Sequence, residues 1–262
     1  MDLGIRGRTA IVNGGSAGMG KSSALALARE GVSLVVSARG AERLERACRE
    51  IARETGVDVV PVVADHTTDE GRARILAACP APDILVGTCS PPRIEGDPRK
   101  ASREQWLETL SVTLLSPIAF MSAVMDGMME RGWGRIVNIA TVAAKFPTLP
   151  RVISGSPRAA LVNYTVGIAK QAARRNVVIN NVLPGMVHTD GARSTYGALA
   201  ARNGTSYEQE VAGAVAKMRI PTGDFGDPDD IGATVAFLCS KHAGYMVGQS
   251  LVLDGGLTTS TF

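Results

Sequence analysis

The sequence lacks most of what would mark a membrane, secreted or nucleic-acid-binding protein. Its four cysteines, Cys48, Cys79, Cys89 and Cys239, are scattered, with neither metal-ligand spacing nor a disulfide framework. That usage predicts no metal and a reducing, cytoplasmic setting. No apolar run reaches the roughly 18 residues a membrane span needs, and Met1-Asp2-Leu3-Gly4-Ile5-Arg6 offers no signal-peptide apolar region. Excess charge of one sign is small, at +3, and cations alternate with acids in Arg43, Glu45, Arg46, Arg49, Glu50, Arg53 and Glu54. Such alternation marks a solvated helix face, so neither nucleic acid nor a membrane is an expected partner. No Pro/Gly-rich linker, composition shift or internal repeat divides the chain.

What is present suits one globular domain. The 262 residues are 45% hydrophobic, which excludes wholesale disorder and allows about three quarters of the unfolded surface to be buried. Short apolar runs alternate with helical patterns from end to end. The runs are Thr9–Val12, Val32–Ser37, Val57–Val63, Ile84–Val86, Arg135–Ala140, Val177–Val182 and Leu251–Leu253. Helical patterns fall between them, including separate ones at Trp106–Leu115 and Ile118–Met129, and another at Ala159–Ala173. Continuous apolar strands predict a parallel sheet covered on both faces. The fold class expected is therefore α/β, a single doubly wound Rossmann-type domain with a seven-stranded parallel sheet flanked by helices. The least regular stretch, about 189–222, is expected to form a mobile flap over a pocket.

Asn13-Gly14-Gly15-Ser16-Ala17-Gly18-Met19-Gly20 follows the first strand and opens the first helix. Glycines there permit a tight turn and close approach to a pyrophosphate, while the helix N-terminus offers free N–H groups and partial positive charge. A ribose-binding carboxylate belongs at the end of the second strand in NAD-binding proteins. Here Val36-Ser37-Ala38-Arg39 has no acid, and Arg39 suits a 2′-phosphate. NADP is expected in preference to NAD.

With these residues in view, the whole chain resembles a short-chain dehydrogenase/reductase. The family's TGxxxGxG loop is present with Asn13 for threonine, and Asp65-His66 matches the dipeptide that touches adenine. Asn181-Val182-Leu183-Pro184-Gly185-Met186-Val187-His188-Thr189 matches the NxxPGxxxT segment that holds nicotinamide. Phe225–Ile231 and Gly248–Gly256 match the C-terminal signatures. The resemblance implies cofactor contacts from Gly14, Ser16, Gly18, Met19, Gly20, Asp65, His66, Cys89, Arg158, Pro184, Gly185 and Thr189. It also implies a homotetramer or homodimer, with the C-terminal Leu257–Phe262 reaching a neighbouring subunit.

The catalytic half departs from the family pattern. NNAG reads Gly87-Thr88-Cys89-Ser90, the helix asparagine falls on Thr113, and the serine on Thr141. Ser154 stands at the tyrosine and Arg158 at the lysine of YxxxK. A divergent branch labelled as 3-oxoacyl-carrier-protein reductases has SNxxR there, with an upstream lysine before a proline, as in Lys145-Phe146-Pro147. The expected function is NADP(H)-dependent oxidation and reduction of a small carbonyl/alcohol pair using Thr141, Ser154 and Arg158. A serine hydroxyl is far less acidic than a phenol, which leaves His188, Lys145 or water as proton donors. Tyr164 is expected in the core, Tyr196 and Tyr207 in the flap, and Cys89 as a neutral lining residue. A non-redox isomerase or lyase and a catalytically inactive nucleotide-binding protein are the competing readings.

Overall fold

The computed structural model describes residues 1–88 and 97–259. Among them, runs rich in valine, isoleucine and leucine form β1 (Thr9–Asn13), β2 (Ser33–Ala38), β3 (Val59–Val63), β4 (Ile84–Gly87), β5 (Gly134–Ile139), β6 (Val177–Pro184) and β7 (Ser250–Leu253). These pair in parallel in the order β3-β2-β1-β4-β5-β6-β7. The helices are α1 (Gly18–Arg29), α2 (Ala41–Thr55), α3 (Asp69–Ala78), α4 (Arg103–Leu110), α5 (Ser116–Glu130), α6 (Val152–Ala173), α7 (Asp190–Asn203), α8 (Tyr207–Met218) and α9 (Pro228–Leu238).

Alternate strand residues serve opposite faces of the sheet. Ala10, Val12, Leu34, Val36, Ile84 and Val86 pack with Leu27 of α1, Leu44 and Ile51 of α2, and Val235 of α9. Ile11, Val35, Leu85, Ile136 and Ile179 pack on the other face with Ile75 of α3, Phe120, Met121, Val124 and Met128 of α5, and Leu161 of α6. Each fully buried large aliphatic or aromatic side chain stabilises by about 1.5–3 kcal/mol. Both faces are covered, which is why the strands read as unbroken apolar runs.

Two expectations about helices need correction. The patterns at Trp106–Leu115 and Ile118–Met129 belong to one helix, Arg103–Glu130, joined through a wide turn at Ser111–Leu115. That turn immediately precedes Pro117, which has no N–H to offer the preceding turn. The Thr113 hydroxyl donates to the Thr109 carbonyl at 2.7 Å within the same stretch. By length and composition alone this is the one helix among the described residues able to cross a membrane, although its Phe120, Met121 and Met128 are packed against the sheet. The stretch 189–222 is not irregular, since it folds into α7 and α8. Thr189 caps α7, Gly204 ends it in the left-handed region, and Ser206 with Gln209 forms a capping box for α8.

Candidate active site

Every described candidate for the site except those on helices lies at or just beyond the carboxyl end of a strand. The sheet order reverses between β1 and β4, and the crevice at such a switch point is where open α/β sheets bind ligands. The loop after β1 supplies Gly14 to Gly20, β2 leads to Arg39, β3 to Asp65 and His66, β5 to Thr141, and β6 to Pro184, Gly185 and Thr189.

The glycine loop is built to bring backbone close to backbone. Gly14 has φ +74°, and a Cβ there would strike the Thr88 carbonyl oxygen beyond β4. The Gly14 and Gly15 N–H groups donate to the Ser37 carbonyl, while the buried Ser37 hydroxyl donates to Asn13 Oδ1 at 2.8 Å. Asn13 therefore ties the loop to β2 through its side chain. The N-terminus of α1, at Gly18, Met19 and Gly20, has no side-chain cap and no acid in its first turn, leaving its free N–H groups and dipole for an anion. Ser16 is buried in the loop, and Gly18 lies against Thr189 from the β6 side. The two segments that would hold a diphosphate and a nicotinamide thus meet.

Arg39 is exposed at the end of β2, near enough to Asp65 and His66 to perturb both. Burial pushes the Asp65 carboxyl up, but hydrogen bonds from the Thr67 N–H and hydroxyl, with Arg39, hold it below the usual value. That carboxylate is engaged in turning the chain after β3. Burial lowers the His66 pKa, so its imidazole is neutral at pH 7. The Ser116 hydroxyl donates to the His66 carbonyl at 2.7 Å. With its proton so used, it accepts from His66 Nδ1 at 2.6 Å, assigning the Nδ1–H tautomer from the network. His66, Asn13, Thr88, Phe120 and Asn138 line a small cavity between the sheet and α5. Cys89 lies outside the described residues.

The candidate catalytic groups sit on two elements pressed together. Thr141 caps a short turn at Val142–Ala144. Gly155 of α6 abuts that turn, and a Cβ on it would come 2.8 Å from the Ala143 carbonyl oxygen. Glycine at 155 is therefore what lets the first turns of α6 lie against the turn that Thr141 caps. One helical turn on, Arg158 donates from Nη1 to the Ser154 hydroxyl at 2.7 Å and to the Ser154 carbonyl at 3.1 Å. Arg158 is only 5% exposed, so its charge acts in a medium less polar than water. Thr113 is also buried, with its hydroxyl turned into its own helix.

Behind the site is a polar layer that the strand pattern concealed. The Asn138 amide on β5 donates to the Thr165 hydroxyl of α6 at 3.3 Å and Asn181 Oδ1 of β6 at 3.5 Å. Asparagines inside apolar strands, at 138 and 181, were the available signal for it. These bonds fix α6 in rotation against β5 and β6.

The other proton-donor candidates take distinct places. His188 Nε2 lies 3.1 Å from Asp224 Oδ1 and Nδ1 lies 2.8 Å from the Tyr207 hydroxyl. Its ring thereby ties the β6–α7 connection to the start of α8 and to the connection between α8 and α9. Lys145 is exposed, with its ammonium over the Phe146 ring. Tyr164 packs against the core face of α6. Tyr196 of α7 meets Phe225 edge-on, 5.3 Å between ring centroids, and Arg193 stacks over Tyr207. Val211, Val215, Ile220 and Phe225 give this region a small core of its own. Among the described residues, no cluster of three or more His, Cys, Asp or Glu could hold a metal ion.

Comparison with known proteins agrees with this architecture. The family model described as enoyl-(acyl carrier protein) reductase matches residues 14–258. A 3-oxoacyl-(acyl-carrier-protein) reductase from Aquifex aeolicus is 28% identical, over 98% of this chain and all of its own length. A subunit of a hydroxy(phenyl)methylsuccinyl-CoA dehydrogenase from Thauera aromatica is 31% identical, over 97% of this chain and 98% of its own. The structure resembles L-sorbose reductase from Gluconobacter frateurii, solved with NADPH and L-sorbose, at a TM-score of 0.94 and 28% identity, covering 99% and 100% of the two chains. The chain belongs to the short-chain dehydrogenase/reductase family and is an oxidoreductase of that family.

Proposed function

We propose that the protein is an NADP(H)-dependent reductase or dehydrogenase acting on a small carbonyl/alcohol pair, with Ser154, Arg158 and Thr141 around the reacting oxygen. The observation that carries this reading is the 2.7 Å bond from buried Arg158 to the Ser154 hydroxyl. Because Ser154 Oγ accepts from a cation there, its own proton is free to point at a substrate oxygen. Negative charge growing on that oxygen is offset by the guanidinium one bond further back. The Thr141 hydroxyl, across the Gly155 contact, supplies a second donor. Thr113 stands where the resemblance puts the helix asparagine, with a supporting role within its own turn.

The dinucleotide fits the chain's own features: an uncapped α1 N-terminus, the close glycine loop, and exposed Arg39 in place of a ribose-binding acid. When bound, NADP(H) supplies or accepts the hydride. Gly14, Ser16, Gly18, Met19 and Gly20 would hold the diphosphate, Arg39 the 2′-phosphate, and Asp65 and His66 the adenine. Pro184, Gly185 and Thr189 would hold the nicotinamide, with Arg158 on its ribose. Two solved relatives, the L-sorbose reductase and a 3-oxoacyl (acyl-carrier-protein) reductase from Agrobacterium tumefaciens, hold NADPH and NADP respectively, which supports the choice over NAD. Leu115 and Val166, 57% and 42% exposed on neighbouring helices, support assembly as a homotetramer or homodimer. A cytoplasmic location and a small-molecule substrate complete the reading.

The test is NADPH absorbance in the presence of diketones, quinones and 3-oxoacyl thioesters, with NADPH binding followed by fluorescence in the same sample. Consumption with any carbonyl, reduced about 100-fold or more by Arg158→Met, supports the assignment. Binding without consumption across the panel overturns it in favour of a non-redox or catalytically inactive protein.

A further inference from the structure

Carbonyl reduction needs a proton as well as a hydride, and Ser154 is a poor source of one. The sequence contains four tyrosines, the side-chain class best suited to replace the lost phenol. Their surroundings separate them. Tyr164 is ten residues along α6 from Ser154, about 15 Å at 1.5 Å per residue, and packs into the core. Tyr245 is fully exposed in the connection that precedes β7. The Tyr207 hydroxyl is bonded to His188. Tyr196 and Tyr164 each have a half-buried ring and a hydroxyl with no hydrogen-bond partner among the described residues, but of the two only Tyr196 packs beside Met186 of the nicotinamide-holding segment.

Tyr196 also has a cation in the right relation to the site. Arg151 immediately precedes α6, three residues before Ser154, and its Nη2 reaches Met186 Sδ at 3.5 Å in the nicotinamide-holding segment. The guanidinium therefore links the start of α6 to the connection between β6 and α7. It is also close enough to Tyr196 to favour that phenolate, opposing burial, which pushes the phenol up overall. Among the described residues no carboxylate lies within 4.0 Å of Arg151, so its charge is not neutralised by a direct ion pair. Met186 and Tyr196 both pack on the same small cluster around Phe225.

We propose that Tyr196, carried on α7 and assisted by Arg151, is the proton donor for the carbonyl oxygen, so that the phenol has moved from α6 to the covering helix pair. The proposal rests on the redox reading above. Hydride enters the carbonyl carbon, the π pair of the carbonyl moves to oxygen, and that oxygen takes the Tyr196 proton. The phenolate is then reprotonated from water. The balance is one ketone, one NADPH and one solvent proton consumed for one secondary alcohol and one oxidised NADP formed. Oxidation runs the same path backwards. The ionisable neighbours of Tyr196 are Arg151 from the α6 side and Tyr207 from α8.

Two readouts test the assignment. Tyr196→Phe should lose about 100-fold or more in turnover with NADPH binding kept, while Tyr245→Phe matches the parent protein. Separately, ultraviolet titration of tyrosine ionisation should show one phenol moving to lower pH on adding oxidised NADP, through the positive nicotinamide ring. That phenol should be missing in Tyr196→Phe, retained in Tyr245→Phe, and shifted upward in Arg151→Gln. Full turnover by Tyr196→Phe overturns the phenol assignment and leaves the redox reading standing. A cofactor-sensitive phenol that survives in Tyr196→Phe does the same. Absence of turnover in the parent protein overturns both.

Discussion

The β1–β4 side of the crevice and the β5–β6 side solve their tasks with different parts of the chain. On the first, the main features are backbone: positive φ at Gly14, the uncapped start of α1, and contacts that admit no Cβ. On the second, they are side chains: Thr141, Ser154, Arg158 and the buried amides of Asn138 and Asn181. A backbone site tolerates almost no change, because any side chain occupies the space it needs. A side-chain site can exchange one group for another wherever charge and hydrogen bonds can be rebalanced.

The largest effect expected from breaking this contrast comes from Gly14→Val. The left-handed conformation costs a branched residue about 1–2 kcal/mol, and the clash with Thr88 adds to it. NADPH fluorescence enhancement should disappear and the melting temperature should fall. Arg39→Ala ranks next. A charge-assisted hydrogen bond contributes about 1.5–3 kcal/mol, so the NADPH dissociation constant should rise about ten-fold or more while that for NADH stays put. Equal losses for both cofactors would remove Arg39 from the 2′-phosphate.

His188→Phe should have a smaller effect. It removes both links from the imidazole to Tyr207 and Asp224, costing about 1 kcal/mol, and should speed hydrogen exchange in residues 204–226 but not in β1 or β4. Uniform acceleration would mean that the link does not act locally. The smallest expected effect is in the pH dependence contributed by His66. Its folded pKa lies below the reference 6.5 through burial, so the unfolded chain binds the proton more readily. This contribution favours folding above pH 6.5 and is lost as pH falls towards the folded pKa. His66→Gln should flatten that decline in urea titrations, and an unchanged slope would contradict the neutral, half-buried imidazole.

These differences also govern what was legible from the amino acids. Glycine spacing and unbroken runs such as Val32–Ser37 specify the strands and the nucleotide loop because each feature has one physical use. The helix pair at 190–218 was harder to read. Its α7 is rich in Gly, Ser and Thr and buries only Ala200 fully, so the apolar period is faint. Its real signals were terminal: Thr189, Gly204 and the Ser206–Gln209 box. The unity of Arg103–Glu130 was hidden by Pro117, whose missing N–H is accommodated by the wide turn before it. Spacing singled out Ser154 and Arg158 as candidates, but the packing of Gly155 on Ala143, which sets their helix against the turn that Thr141 caps, is tertiary and had no local signal. The proximity of Arg151 to Tyr196 is likewise tertiary and had no local signal.

The proposed hydride transfer at the site of Ser154 and Arg158 is tested most directly by isotope transfer. The protein would be supplied with a ketone and NADPH deuterated at the transferable position of the nicotinamide ring, and the product examined by mass spectrometry. The alcohol should carry one deuterium on its carbinol carbon, with far less of it formed by Arg158→Met. Product formed without deuterium, or no alcohol from any ketone that binds, would contradict it.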